Sequence, residues 1–304
     1  MNSAPAAGVP NRGMITLSIM LAVIMRGLDN TIANVALAHI QGSLSVSQEQ
    51  VAWVLTSYIV STAIAMPLTG WLAGRFGIKE IFLGSVIIFA GASALCGAAA
   101  NLPQLVLYRI LQGFGSAALV PLSQATLLQI NPPERHGQAM AVFGLGTILG
   151  PIAGPALGGW LTDSFGWRWV FYVNVPVGIV SALGIAIFMH ESRPTHREPF
   201  DMFGFVALSV AVGALQLLLD RGEVKDWFSS TEIRVEATVG LLALYLLVVH
   251  TATATDRSFL NRELLKNTPF VAGTVLIFLI GITMNGTLAL LPLMMQNLMN
   301  YPVL

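Results

Sequence analysis

The amino-acid sequence is expected to fold as an all-α polytopic membrane protein. Hydrophobic residues make up 55% of the 304 positions and charged residues only 10%, against roughly 25% charged in a typical soluble domain. The few charges are spaced so that long neutral runs lie between them: residues 81–108, 110–133, 136–162 and 267–304 contain no Asp, Glu, Lys or Arg. Helices are the natural way to bury such runs in lipid, because each satisfies its own backbone hydrogen bonds.

The same numbers exclude other classes. The 15 Lys plus Arg balance the 15 Asp plus Glu, so no basic face for nucleic acid is expected. One cysteine, Cys96, forms no intrachain disulfide and no Cys-based metal cluster. The five histidines, His39, His136, His190, His196 and His250, are scattered with no metal-ligand spacing.

A helix needs about 20 apolar residues to cross a core about 30 Å thick. Nine spans result. The first, near 14–38, is apolar except for Arg26 and Asp29, and the second, near 50–73, runs into a Gly-rich end at 70–77. The third and fourth, near 80–100 and 103–130, divide the neutral stretches on either side of Arg109. The fifth, near 137–161, precedes Asp163; the sixth, near 168–190, follows the Trp167-Arg168-Trp169 cluster. The seventh and eighth, near 201–221 and 233–254, flank a charged turn, and the ninth, near 269–292, opens the last neutral run. Trp53, Trp71, Trp160, Trp167, Trp169 and Trp227 all fall near span ends or in connections, where amphipathic rings prefer to sit.

Orientation follows from alternate connections. One set carries Arg12, Arg75, Lys79, Arg135, Arg193, Arg197, Arg257, Arg262 and Lys266, the other Arg168, Arg221, Lys225 and Arg234. Nine against four puts the N-terminus in the cytoplasm. Ala36-Leu37-Ala38 resembles a cleavage site, but Arg26 and Asp29 interrupt the apolar core a signal peptide would need. The block Gly70-Trp71-Leu72-Ala73-Gly74-Arg75-Phe76-Gly77 recurs 89 residues later as Gly159-Trp160-Leu161-Thr162-Asp163-Ser164-Phe165-Gly166. That offset equals three helices, so the copies end on opposite membrane sides, as an inverted three-plus-three repeat requires. Chance recurrence of a Gly-Trp-Leu helix end is the bland alternative.

Six blocks together resemble the major facilitator superfamily, and within it the fourteen-span drug:proton antiporters typified by EmrB and QacA. Residues 28–37 (LDNTIANVAL) are similar to the family's L-D-x-T-I-x-N-V-A-L. Residues 70–79 resemble its G-x-L-A-D-R-x-G-R-K loop, with Gly74 in place of Asp and Ile78 in place of the second basic residue. Residues 105–118 (LVLYRILQGFGSAA) match R-x-x-Q-G-x-G, and residues 146–159 (GTILGPIAGPALGG) match the antiporter block. Residues 167–176 and 219–230 are similar to the EmrB branch in particular. The resemblance implies the major facilitator fold: an N-terminal six-helix bundle over 1–192, two linker helices over 193–258, and the first helix of a C-terminal bundle over 259–304. The family has about 500 residues, so the chain is expected to be either a fragment or a truncated product.

Asp29 is the sharpest candidate for chemistry. A carboxylate at a helix centre costs roughly 2.5–3.5 kcal/mol on insertion scales, and low dielectric disfavours its charged form, which suits a proton carrier. The bland alternative is a simple pair with Arg26 at i−3. Arg109 in span four, followed by Gln112, Ser116 and Ser123, makes a polar stripe; it could relay protons or merely staple helices through backbone carbonyls. The resemblance adds Asn30, Asn34, Gln112, Ser116 and Asn285 as cavity residues, and Gly70, Gly74, Arg75, Gly77 and Lys79 as a gating loop; Arg26, which is not part of the family pattern, is also expected to line the cavity beside Asp29. Gly146, Gly150, Gly154 and Gly158 recur every fourth residue, with Pro151, Pro155 and Gly159 in the same block. They form a groove for close helix approach, whose family partner lies in the second bundle, so in this chain it is expected to meet nothing.

The resemblance implies proton-coupled export of hydrophobic, often cationic, compounds across a bacterial inner membrane. It needs no cofactor and no ATP, and no G-x-x-x-x-G-K-[ST] pattern occurs. It also implies a periplasmic adaptor of the EmrA type and an outer-membrane channel as partners. A non-transporting membrane protein, binding or regulatory, is the alternative from another class. An enzyme is not expected, for want of a nucleophile–base pair or metal cluster.

Overall fold

A computed structural model describes residues 10–190, 200–253, 264 and 266–299, with side chains described as far as 283. Among the described residues there are twelve α-helices: α1 Arg12–Leu44, α2 Gln48–Ala65, α3 Leu68–Phe76, α4 Ile78–Ala98, α5 Leu102–Ser116, α6 Leu119–Ile130, α7 His136–Phe165, α8 Trp169–Tyr172, α9 Asn174–Phe188, α10 Met202–Arg221, α11 Thr231–Thr253 and α12 Thr268–Met299. Among the described residues, seven stretches are long and apolar enough to cross a membrane, and eight if α2 and α3 are one bent span. The ninth expected span falls within α12, whose apolar stretch is described over Thr268–Thr283.

Three expected spans are composite. Span two turns by 54° between α2 and α3, where Pro67 cannot donate a backbone hydrogen bond. Span four is interrupted between α5 and α6. Pro121 there has no N–H for the carbonyl of Ala117, four residues back, and its ring crowds it. The Arg109 stripe is therefore split, because Ser123 belongs to α6 while Gln112 and Ser116 belong to α5. Span six consists of the single turn α8 followed by α9. By contrast α7 runs unbroken through Pro151 and Pro155.

Local chemistry sets the ends. Ser47 and Gln50 form a reciprocal capping box at α2, and the Asn101 side chain accepts from the Gln104 amide at 3.0 Å to start α5. Gly77 and Gly166, the last residues of the two sequence repeats, end α3 and α7 in the same way. Their φ values are 98° and 91°, and their amides bond Ala73 and Thr162, the equivalent residue in each copy, at 2.9 and 3.0 Å. Glycine fits there because a Cβ disfavours positive φ.

The chain falls into two compact units, residues 1–247 and 248–304. In the first, α1 packs on α7 and α9, α4 on α5 and α9, and α2 on α5 and α10. Its apolar core is divided into two layers. Ile15, Ile19, Met25, Phe82, Phe89 and Leu119 belong to one; Ile32, Ile40, Val54, Cys96, Leu105 and Phe171 belong to the other. Along α1 the first layer ends at Met25 and the second begins at Ile32. The site lies in the gap.

Candidate functional site

Asp29 occupies that gap at 1% exposure, on a helix long enough that the position is far from either end. Its Oδ2 accepts from Arg109 Nη1 at 2.7 Å. Its Oδ1 accepts from Gln112 Nε2 at 2.8 Å and from Asn174 Nδ2 at 2.9 Å. Both carboxylate oxygens are thus satisfied by three other helix positions, on α5 and at the start of α9. Asp29 does not pair with Arg26. The local i−3 geometry is overruled because three donors from neighbouring helices already converge on the carboxylate.

Arg109 is fully buried. Besides Asp29, it donates from Nη1 to Gln112 Oε1 at 2.8 Å and from Nε to the Val54 carbonyl at 3.0 Å. Its guanidinium stands 4.1 Å from the Tyr58 ring centroid and 5.8 Å from that of Phe171. The staple to a backbone carbonyl and the ion pair are therefore made by one side chain. A buried arginine suits both, because its planar fork stacks on aromatics while spreading several donors.

Two further residues extend the network. Asn174 also donates to Ser93 Oγ at 3.0 Å, and Ser93 donates to the Phe171 carbonyl at 2.8 Å. Cys96 Sγ lies 3.7 Å from Gln112 Oε1. Ser116 is buried one turn beyond Gln112, where its hydroxyl shares a hydrogen bond with Thr62 Oγ1 at 2.9 Å. Ser123 is turned back on the Leu119 carbonyl and takes no part. Sequence reasoning missed Asn174 as a site residue, although it is a polar residue in an otherwise apolar run after Trp169.

The remaining candidates are placed as follows. Arg26 and Asn30 are half-buried and Asn34 is exposed, donating from Nδ2 to the Asn30 carbonyl at 3.0 Å. The side chain of Asn285 lies outside the described residues. Thr274 and Thr283 on α12 donate to their own helix, to the carbonyls of Phe270 and Leu279, each at 2.9 Å. In the loop after span two, Gly70 and Gly74 face open space. Arg75 lies over Trp71 and Phe76, at 5.4 and 5.9 Å, and Lys79 is half-buried in the first turn of α4.

The glycine groove on α7 does have a partner in this chain, contrary to expectation. Gly146, Gly150, Gly154 and Gly158 are all buried and face α1. A Cβ at Gly150 would stand 2.6 Å from the Gly27 carbonyl carbon, one at Gly154 would strike the Thr31 hydroxyl, and one at Gly158 would stand 3.2 Å from Ile32 Cα. Gly159 and Pro155 lie off this contact face. The two backbones touch at Gly27–Gly150, two residues from Asp29. The groove therefore fixes the helix that carries the carboxylate.

Comparison with known proteins agrees with this architecture. The model of the Major Facilitator Superfamily matches residues 19–304. The chain is 40% identical over 289 residues to the multidrug export protein EmrB of Haemophilus influenzae, covering 95% of this chain and 56% of that protein. It is 40% identical over 290 residues to the fatty acid resistance protein FarB of Neisseria gonorrhoeae, covering 94% and 57%. The chain thus spans little more than half the length of these relatives. Among solved structures, the proton:xylose symporter XylE superposes with a TM-score of 0.62 at 14% identity, over 94% of this chain and 62% of that one. A peptide transporter of the POT family gives 0.60 at 16%, over 81% and 54%. Matching across nearly its whole length, and folding as such transporters fold, the chain belongs to the major facilitator superfamily, a family of transport proteins rather than enzymes.

Proposed function

We propose that the complete protein is a proton-coupled antiporter that exports hydrophobic compounds, cations among them, across a bacterial inner membrane. The observation that carries this reading is the Asp29–Arg109 pair, buried between two apolar layers and satisfied by Gln112 and Asn174. Protonating Asp29 removes the charge that compensates Arg109. A buried charge left without its partner is costly, at about 3–5 kcal/mol, so proton uptake favours a rearrangement of α1 against α5. Bundles rocking about a midplane site then give alternating access. One proton crossing about 100 mV releases about 2.3 kcal/mol, enough for a gradient of roughly fifty-fold.

In this reading residues 1–192 form the six-helix bundle as two inverted repeats, 193–258 the linker helices and 259–304 the start of the second bundle. The N-terminus is cytoplasmic. Arg26, Asn30, Asn34, Gln112, Ser116 and Asn285 border the substrate path, and the 70–79 loop gates it. The relatives' name as multidrug export proteins supports export; a periplasmic adaptor and an outer-membrane channel as partners rest on the EmrB-branch resemblance of residues 167–176 and 219–230 alone. The test is Asp29→Asn in the complete protein, reconstituted in vesicles. Drug-stimulated proton movement is expected to fall to background while drug binding persists; movement at the wild-type rate refutes the coupling role.

A further inference from the structure

Arg26 is a charge that the coupling network does not use. It sits near the middle of the 33-residue α1, where an ionised side chain is costly to place in a bilayer. Its Nε is shielded from solvent and makes no hydrogen bond, and no acid pairs with its guanidinium among the described residues. Asp29, three residues on, is already held by Arg109, Gln112 and Asn174. Arg109 neutralises that carboxylate, so the polar layer retains one unit of positive charge. At 100° per residue, Arg26 shares a face with Ala22 and Ala33, both buried. It therefore points into the protein rather than toward lipid. Asn30 and Asn34 follow at four-residue steps, and along this stripe exposure rises from half-buried to open.

We infer that Arg26 is a specificity-determining residue that receives an anionic head group, a carboxylate or sulfonate, of the transported amphiphile. The inference rests on the export reading above and narrows it. A guanidinium is a fork of donors matched to planar or tetrahedral oxyanions, and it has no other work in the described structure. Asn30, one turn along, offers a carboxamide donor beside it. A substrate anion at this position supplies the missing counter-charge, whereas a substrate cation there meets repulsion from Arg26.

The experiment uses the complete protein in proteoliposomes with two permanently charged probes of equal tail, decanesulfonate and decyltrimethylammonium. Neither probe carries protons across the bilayer itself. Substrate-stimulated proton movement and equilibrium binding are both measured, for wild type, Arg26→Gln and Arg26→Lys. Wild type is expected to favour the sulfonate, Arg26→Gln to reduce that preference about tenfold or more, as for loss of one charge-assisted hydrogen bond, and Arg26→Lys to keep most of it. A wild-type preference for the cation overturns the inference, as does an equal loss for both probes in Arg26→Gln. If sulfonate binding depends on Arg26 but neither probe moves protons, the anion site stands and the export reading fails. If export proceeds and the Arg26 variants leave head-group preference unchanged, the anion site fails alone.

Discussion

Asp29 and Arg109 hold each other in place, and a role in stability can be separated from the coupling role proposed for them. Arg109→Met leaves a buried carboxylate with the amides of Gln112 and Asn174 but no counter-charge, and is expected to cost about 3–5 kcal/mol, read as a lowered thermal midpoint of the complete protein. The pair replaced together, Asp29→Leu with Arg109→Met, is expected to recover most of that loss, because no charge remains to be compensated. The same double variant is expected to show no drug-stimulated proton movement. Recovery of coupled movement in it would detach the pair from the mechanism. Three of the four members of this network were legible in the sequence, since Asp29, Arg109 and Gln112 are conspicuous in apolar spans. Their connectivity was not. A sequence shows the neighbour at i−3, Arg26, but not a partner 80 positions away. Asn174 carries no charge and so gave no comparable signal.

Helix α7 shows what a small-residue groove fixes. Gly150→Ala places a methyl group against the Gly27 backbone at 2.6 Å, and neither backbone can yield without separating α1 from α7. Overpacking of this kind costs about 1–3 kcal/mol. Gly144 on the same helix has nothing within 4 Å of a Cβ, so Gly144→Ala is expected to be neutral or stabilising by up to about 1 kcal/mol through helix propensity. The thermal midpoint should therefore fall for Gly150→Ala and hold or rise for Gly144→Ala; a similar fall in both would show that the close approach is not what matters. Because Gly27 is next but one to Asp29, Gly150→Ala is also expected to slow coupled transport more than its stability loss explains. The four-residue glycine period was legible, but which helix fills the groove was not, since spacing marks a contact face and carries no address. The breaks at Pro67 and between α5 and α6 were missed for a related reason. Hydropathy averages over a window and passes smoothly across a proline.

Orientation in the membrane is a property of the entire chain, and two independent features must agree on it. If the nine-against-four cation count reports orientation, the 70–79 connection lies in the cytoplasm. The repeat, whose copies end at Gly77 and Gly166 with matching φ and matching amide bonds, places those two ends on opposite sides if it is inverted. Glu80, Glu134, Asp163 and Glu223 are exposed near the connections that follow spans two, four, five and seven, and Cys96, the cysteine of this chain, is fully buried. Single cysteines introduced at the four acids can therefore be read with a membrane-impermeant maleimide without removing Cys96. In intact spheroplasts making the complete protein, Asp163→Cys and Glu223→Cys are expected to label. Glu80→Cys and Glu134→Cys are expected to label only after the membrane is opened. The reverse pattern would overturn the charge argument but leave the repeat intact. Labelling of Glu80→Cys and Asp163→Cys from the same side would remove the inverted repeat itself, because two helix ends built alike would then not be related by a half-turn in the membrane plane.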